Sequence, residues 1–169
     1  MTPASSRRRL VLALGAFVLA NPLAGCGFQL RGPRPLAFTT IFLGVSSYSA
    51  LGTALRRQIL TSGTTEVVDD AARADVRLDI LRSEQTREIL TLTGAGKVRE
   101  YQLRHIIRFR LVDRANTELI PPTSISATRD YNYDDAQVLA KEQEAVLLYR
   151  DMQADLVRQL MRRLAAVKT

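Results

Sequence analysis

His105 is the only histidine and Cys26 the only cysteine of this 169-residue chain, so the groups that usually act as general base or nucleophile are nearly absent. Neither a Gly-x-Ser-x-Gly nor a His-Glu-x-x-His spacing occurs. Asp69-Asp70 and Asp134-Asp135 are adjacent acidic pairs. Neighbouring side chains diverge in extended structure and lie about 100° apart on a helix. Neither pair therefore forms an acid–base couple, and both read as turn or helix-start residues. Gly94-Ala95-Gly96-Lys97 is too short for a phosphate loop and lacks the Ser or Thr that follows its lysine; it reads as a turn. His105 falls on the apolar side of an alternating segment, where a core histidine is the simpler reading than a catalytic base. The expectation is a protein that is not an enzyme and has no catalytic, cofactor or metal site.

Cys26 has a different context. Arg7, Arg8 and Arg9 precede an apolar run from Leu10 to Ala20, which reaches the length of a secretory signal but falls short of the roughly 20 residues that a membrane span needs. Leu23-Ala24-Gly25-Cys26 then resembles the lipobox of bacterial lipoproteins. That resemblance implies cleavage before Cys26, thioether attachment of a diacylglycerol and acylation of the new amino group. Several acyl chains on one residue anchor far more durably than one. Ser6-Arg7-Arg8-Arg9-Leu10 is compatible with a general secretory or a twin-arginine route, and both end outside the cytoplasm. Gly27 stands where an aspartate would retain an enteric-type lipoprotein in the inner membrane, so the outer membrane is the expected destination.

These boundaries make residues 1–25 a signal peptide, 26–37 a lipidated leader rich in Gly and Pro, and 38–169 one folded domain. The chain carries 24 Lys and Arg against 17 Asp and Glu. Three arginines leave with the signal, so 21 minus 17 gives the mature chain a modest charge of +4. With the cysteine acylated, no disulfide supports the fold.

The domain must be built from elements that the periodicity announces. Thr39 to Val45 is a short apolar strand, and Ser49 caps a helix to about Leu60, with Leu51, Ala54, Leu55, Gln58 and Ile59 on one face and Gly63 as the stop. Thr64 to Val68 is a candidate short strand, and residues 69–74 are a turn. From Asp75 the period is two: Val76, Leu78 and Ile80 alternate with Arg77 and Asp79, and extension continues to Thr93. Beyond the Gly turn, Val98 to Val112 places Tyr101, Leu103, His105, Ile107, Phe109 and Leu111 on one face. Gln102, Arg104, Arg108 and Arg110 lie on the other. Pro121-Pro122 delays a last strand to Ser124–Arg129. From about Asp134 to Ala166, Leu148, Met152, Leu156, Leu160 and Leu164 recur every four residues, with Val146, Tyr149 and Val157 beside them. The fold class is α+β, a two-layer sandwich with two helices packed on one face of a mixed or antiparallel sheet of about four strands.

The arginine face of the hairpin reads equally as a solvated surface or as a dock for an anionic partner. It has no interleaved aromatics to stack bases, so nucleic acid is not expected.

Three segments together resemble the LptE family of lipopolysaccharide-assembly lipoproteins: Cys26-Gly27-Phe28-Gln29-Leu30-Arg31, Val98-Arg99-Glu100-Tyr101-Gln102-Leu103 and Ala140-Lys141-Glu142-Gln143-Glu144. The resemblance implies a small non-enzymatic domain that plugs the LptD β-barrel, supports its assembly and binds lipopolysaccharide through basic residues near the hairpin tip and at the start of the last helix. Lys141 matches the helix position. At the tip the expected arginine falls near Gly94, leaving Lys97 and Arg99 as substitutes. The partners implied are an LptD-type barrel, lipopolysaccharide, and the membrane through Cys26. The rival readings are an accessory lipoprotein of another envelope complex and an anchored hydrolase, and no convergent polar pocket speaks for the second.

Overall fold

Alternation from Val76 onward becomes three long strands in the computed structural model, which describes residues 35–168. Residues 1–34, which hold the expected signal segment, Cys26 and most of the expected leader, and Thr169 lie outside the described residues. Strands β3 (Val76–Leu92), β4 (Val98–Asp113) and β5 (Glu118–Asn132) form an antiparallel meander. Ahead of them come β1 (Thr40–Gly44), helix α1 (Ala50–Ser62) and β2 (Glu66–Val68). β1 pairs parallel with both β2 and β3, giving one mixed sheet in the order β2-β1-β3-β4-β5. The sheet thus has five strands rather than about four. The fifth is the three-residue edge β2, which falls within the candidate strand Thr64–Val68 but outside the expected four; the Glu66 amide donates to the Thr39 carbonyl at 2.8 Å as the chain returns from α1.

β5 starts six residues earlier than Ser124, because its prolines sit in an edge strand, where a missing N–H costs no ladder bond. The register passes from Phe109↔Thr123 to Leu111↔Ile120, so Pro121 and Pro122 fall within the irregularity. Ser49 caps α1, accepting from the Gly52 amide at 3.0 Å. Gly63 ends it at φ 75°, where a side chain would be strained. The last helix, α2 (Val138–Leu164), begins four residues later than Asp134. Asp134 instead accepts from the Ala136 amide at 2.9 Å and caps a single 3-10 turn, Asp135–Gln137.

Both helices share one core with one face of the sheet. Leu55 and Ile59 of α1, Met152, Leu156, Leu160 and Leu164 of α2, and Ile41, Leu78, Leu103, Ile107, Phe109 and Leu111 of the sheet are fully buried. Leu36 and Phe38, just ahead of β1, join them. Two side chains depart from the expected faces: Gln58 is exposed, and Val146 is 60% exposed, since after Ala145 the next fully covered residue of α2 is Met152.

Asp75 fastens the start of β3 to the start of β1. Its carboxylate accepts from the Thr39 hydroxyl at 2.6 Å and from the Thr40 amide at 3.0 Å, and its own amide donates to the Thr40 hydroxyl at 2.8 Å. The Thr39 hydroxyl first, then the Thr40 groups, hold this carboxyl down at about 2. A carboxyl depressed in the fold stabilises it above the ordinary value of 3.8 and loses that contribution as pH falls towards 2. Chemical-denaturation midpoints should therefore drop over that acid window, and the drop should be smaller in Asp75→Asn. Leu156→Ala, which empties the middle of the helix–sheet seam, should cost about 2–5 kcal/mol in the same measurement.

Candidate functional site at the hairpin end

β1 covers β3 only from Val76 to Asp79. Beyond that level β3, β4 and β5 continue as a three-stranded arm, closed at its tip by a turn in which the Thr93 amide donates to the Lys97 carbonyl at 2.7 Å and Gly96 takes φ 75°. The N-terminal half of α2 lies along one face of this arm, and a polar cluster fixes it there.

Arg87 is the centre of that cluster. Its guanidinium donates to Glu142 at 2.7 Å and to the Tyr131 hydroxyl at 3.2 Å, and lies 4.9 Å from the centroid of the Tyr101 ring. Tyr101 in turn stacks on Tyr131 at 5.8 Å and meets Tyr133 edge-on at 5.1 Å. The Tyr149 hydroxyl donates to the Thr86 carbonyl at 2.8 Å. The Glu142 bond, then the Tyr131 bond, raises the Arg87 pKa further above its ordinary value. Desolvation raises the Tyr133 and Tyr149 hydroxyls. Arg87 was not among the residues singled out from the sequence. Its signal, one Arg among several on a strand, becomes visible only once α2 brings Glu142 over β3.

The three cations expected to touch lipopolysaccharide gather at this end in different states. Lys97, in the turn, reaches Asp135 at 3.3 Å, which ties the tip to the entrance of α2. Arg99 is exposed, with no acidic partner among the described residues, and sits where the β3–β4 register shifts between Thr91 and Leu92. Lys141 shares the sheet-facing stripe with Ala145 and Leu148; its side chain is only 20% exposed and its ammonium meets Glu144 at 2.8 Å. The periodicity did not mark the apolar company these cations keep. Ile89, Leu90 and Leu92 near the tip and Leu139, Val146 and Leu147 on α2 are all exposed, Leu139 at 82%. Leu139, Glu142, Gln143, Val146 and Leu147 line one shallow, open groove.

His105 lies on the core side of β4, 2% exposed, with Nε2 at 3.3 Å from the Ser83 hydroxyl. Nδ1 is buried without a partner, which favours the tautomer protonated on Nε2, since a stranded acceptor is better tolerated than a stranded N–H. Burial lowers its pKa below 6.5. It is a neutral core residue. Among the described residues no group of three or more His, Cys, Asp or Glu could hold a metal ion, and no helix is long and apolar enough to cross a membrane.

Arg87→Ala should loosen the first turns of α2: amide exchange of residues 138–145 should accelerate while the Leu156 region keeps its protection. The loss in global stability should stay near 1 kcal/mol, because this cluster is partly open to solvent.

A family model described as LptE, lipopolysaccharide-assembly, matches residues 38–164. The LPS-assembly lipoprotein LptE of Pectobacterium atrosepticum is 33% identical over 164 residues, covering 95% of this chain and 86% of that protein. Its counterpart from Yersinia pestis is 32% identical over the same length, covering 95% and 77%. Among solved structures, an NMR structure of an uncharacterized lipoprotein B from Nitrosomonas europaea superposes with a TM-score of 0.72 at 35% identity, covering 83% of this chain and 91% of that one. The crystal structure of rare lipoprotein B from Shewanella oneidensis gives 0.67 at 25% identity, covering 76% and 95%.

Proposed function

The chain belongs to the LptE family of lipopolysaccharide-assembly lipoproteins, and from that membership we propose that it is the plug of an LptD-type outer-membrane barrel and contacts lipopolysaccharide directly. Membership makes it a structural component of lipopolysaccharide assembly rather than an enzyme. In the proposed arrangement residues 1–25 are removed, Cys26 is lipidated, 26–37 is the leader and 38–169 is the working domain. The anchor holds that domain at the periplasmic side of the outer membrane, with the fold in the barrel lumen.

The observation that carries direct contact is the composition of the hairpin end. Lipopolysaccharide is an amphiphile that presents phosphates beside acyl chains. Exposed Leu139, Val146, Leu147, Ile89 and Leu92 beside Lys97 and Arg99 offer it apolar surface and charge-assisted donors together. Arg99 is free to donate at once. Lys97 can exchange Asp135 for a phosphate at little cost, since an exposed ion pair contributes roughly 0–1 kcal/mol. Lys141 is the least available of the three: half-hidden and paired with Glu144, it acts by shaping the helix start unless Glu144 is displaced.

The test is Lys97→Glu/Arg99→Glu alongside Lys141→Gln, each checked by thermal melting for an intact fold. The double reversal should weaken lipopolysaccharide binding by tenfold or more in a surface-immobilised assay, with Lys141→Gln closer to wild type. Unchanged binding in the double reversal overturns direct contact through this end.

A further inference from the structure

α1 and α2 both pack on one side of the sheet, so the other side of the three-stranded arm is bare. Along it β4 presents Gln102, Arg104, Ile106, Arg108 and Arg110. At the base of the arm the arginines are neutralised: Arg110 and Arg77 both reach Asp79, at 2.9 and 3.0 Å. Midway along they are not. Arg104 and Arg108 are exposed, and among the described residues neither side chain has a hydrogen-bonding or ionic partner. Arg108 stands directly across from Arg82, a like-charge cross-strand pair that is unfavourable in itself; only Arg82 is relieved, by Glu84. On the other flank β5 sets Ser124, Ser126 and Thr128 opposite Arg108, Ile106 and Arg104.

We infer that this bare face, with Arg104 and Arg108 either side of Ile106 and the hydroxyls of β5 beside them, docks against a carboxylate-bearing segment of the barrel wall that surrounds the domain. The inference rests on the plug reading and adds the face and the chemistry of contact. Three features select a protein carboxylate surface over a phosphate. Arg104 and Arg108 are four residues apart on one strand, roughly 13 Å at the backbone, a spacing that offers two separate contacts rather than one cradle for a small anion. The space between them holds Ile106, the hydroxyls of β5 and, from β3, Glu84, whose carboxylate already pairs with Arg82, a mixture of charged, apolar and short polar groups of the kind that protein interfaces use. And an extended strand face can lie along a strand-built wall, whose Asp and Glu would meet Arg in bidentate pairs. Such an acidic segment would also remove the repulsion between Arg82 and Arg108.

The experiment uses the full-length, membrane-anchored chain co-expressed with its barrel. A photo-crosslinking residue at Ser126, exposed in the centre of the face, is irradiated in cells, and the captured peptide is sequenced. In parallel, barrel recovery in mild detergent is compared for wild type, Arg104→Glu/Arg108→Glu and Arg57→Glu, an exposed arginine on α1. The expected result is a crosslink to an Asp- or Glu-rich lumenal segment of the barrel. Recovery should fall about tenfold in the double reversal, remain unchanged in Arg57→Glu, and decline with salt in wild type. If wild type recovers the barrel but the double reversal recovers it equally, or the crosslink lies on lipopolysaccharide or phospholipid, the docking face is overturned while the plug reading stands. If wild type recovers no barrel, both fall together.

Discussion

Everything in this domain hangs on one seam: the apolar stripe of α2, repeating every four residues, laid against alternate residues of β4 and β5. Met152, Leu156, Leu160 and Leu164 share one core with Leu103, Ile107, Phe109 and Leu111, all fully buried. Because strand side chains alternate, committing those residues to the helix side sends Arg104, Ile106, Arg108 and Arg110 to the opposite side. The bare arginine face is therefore a consequence of the core. A one-residue slip of β4 would bury the arginines and expose the leucines, so the two faces are specified by the same pattern.

At about 1.5 Å per residue the 27-residue helix is on the order of 40 Å long, and the apolar seam does not extend over all of it. Ahead of Leu148 the buried stripe thins to Ala145, and apolar side chains such as Val146 turn outward. Polar contacts hold the helix there: Arg87 to Glu142, Lys97 to Asp135, and Tyr149 to the Thr86 carbonyl. Such contacts are individually weak and exchangeable. The molecule thus joins a rigid base, closed by Asp75 and the packed core, to an end whose fastening can yield to an amphiphilic ligand. That division is what the proposed role, a plug that keeps its shape within a barrel while contacting a phosphorylated lipid, would require.

Much of this was legible in the residues. The alternation of β4 assigned His105 to the core, and the stripe of α2 announced its partner face. Ser49 and Gly63 marked the ends of α1. The short strand β2 was visible only as a candidate over Thr64–Val68, because its pairing depends on α1 returning the chain beside β1. What escaped was set by non-local context. Pro121 and Pro122 suggested a late strand start, but an edge position removes the penalty. Asp134 looked like a helix residue and instead caps the 3-10 turn before it. At the candidate site the sequence offered Lys97, Arg99 and Lys141 as candidates, and the fold distinguishes the unpaired Arg99, the exposed Lys97 paired with Asp135 and the half-hidden Lys141. Arg87 and the exposed leucines needed the packing of α2 before their places could be seen.

The most direct test of the account is the composition of the assembly this chain forms. The anchored protein, tagged after Thr169, would be extracted in mild detergent, and the mass of the intact complex and its peptides measured. One copy of a single large outer-membrane β-barrel per copy of the chain is the predicted result. Recovery of the chain alone, or in another envelope assembly, would contradict the proposed role as a barrel plug.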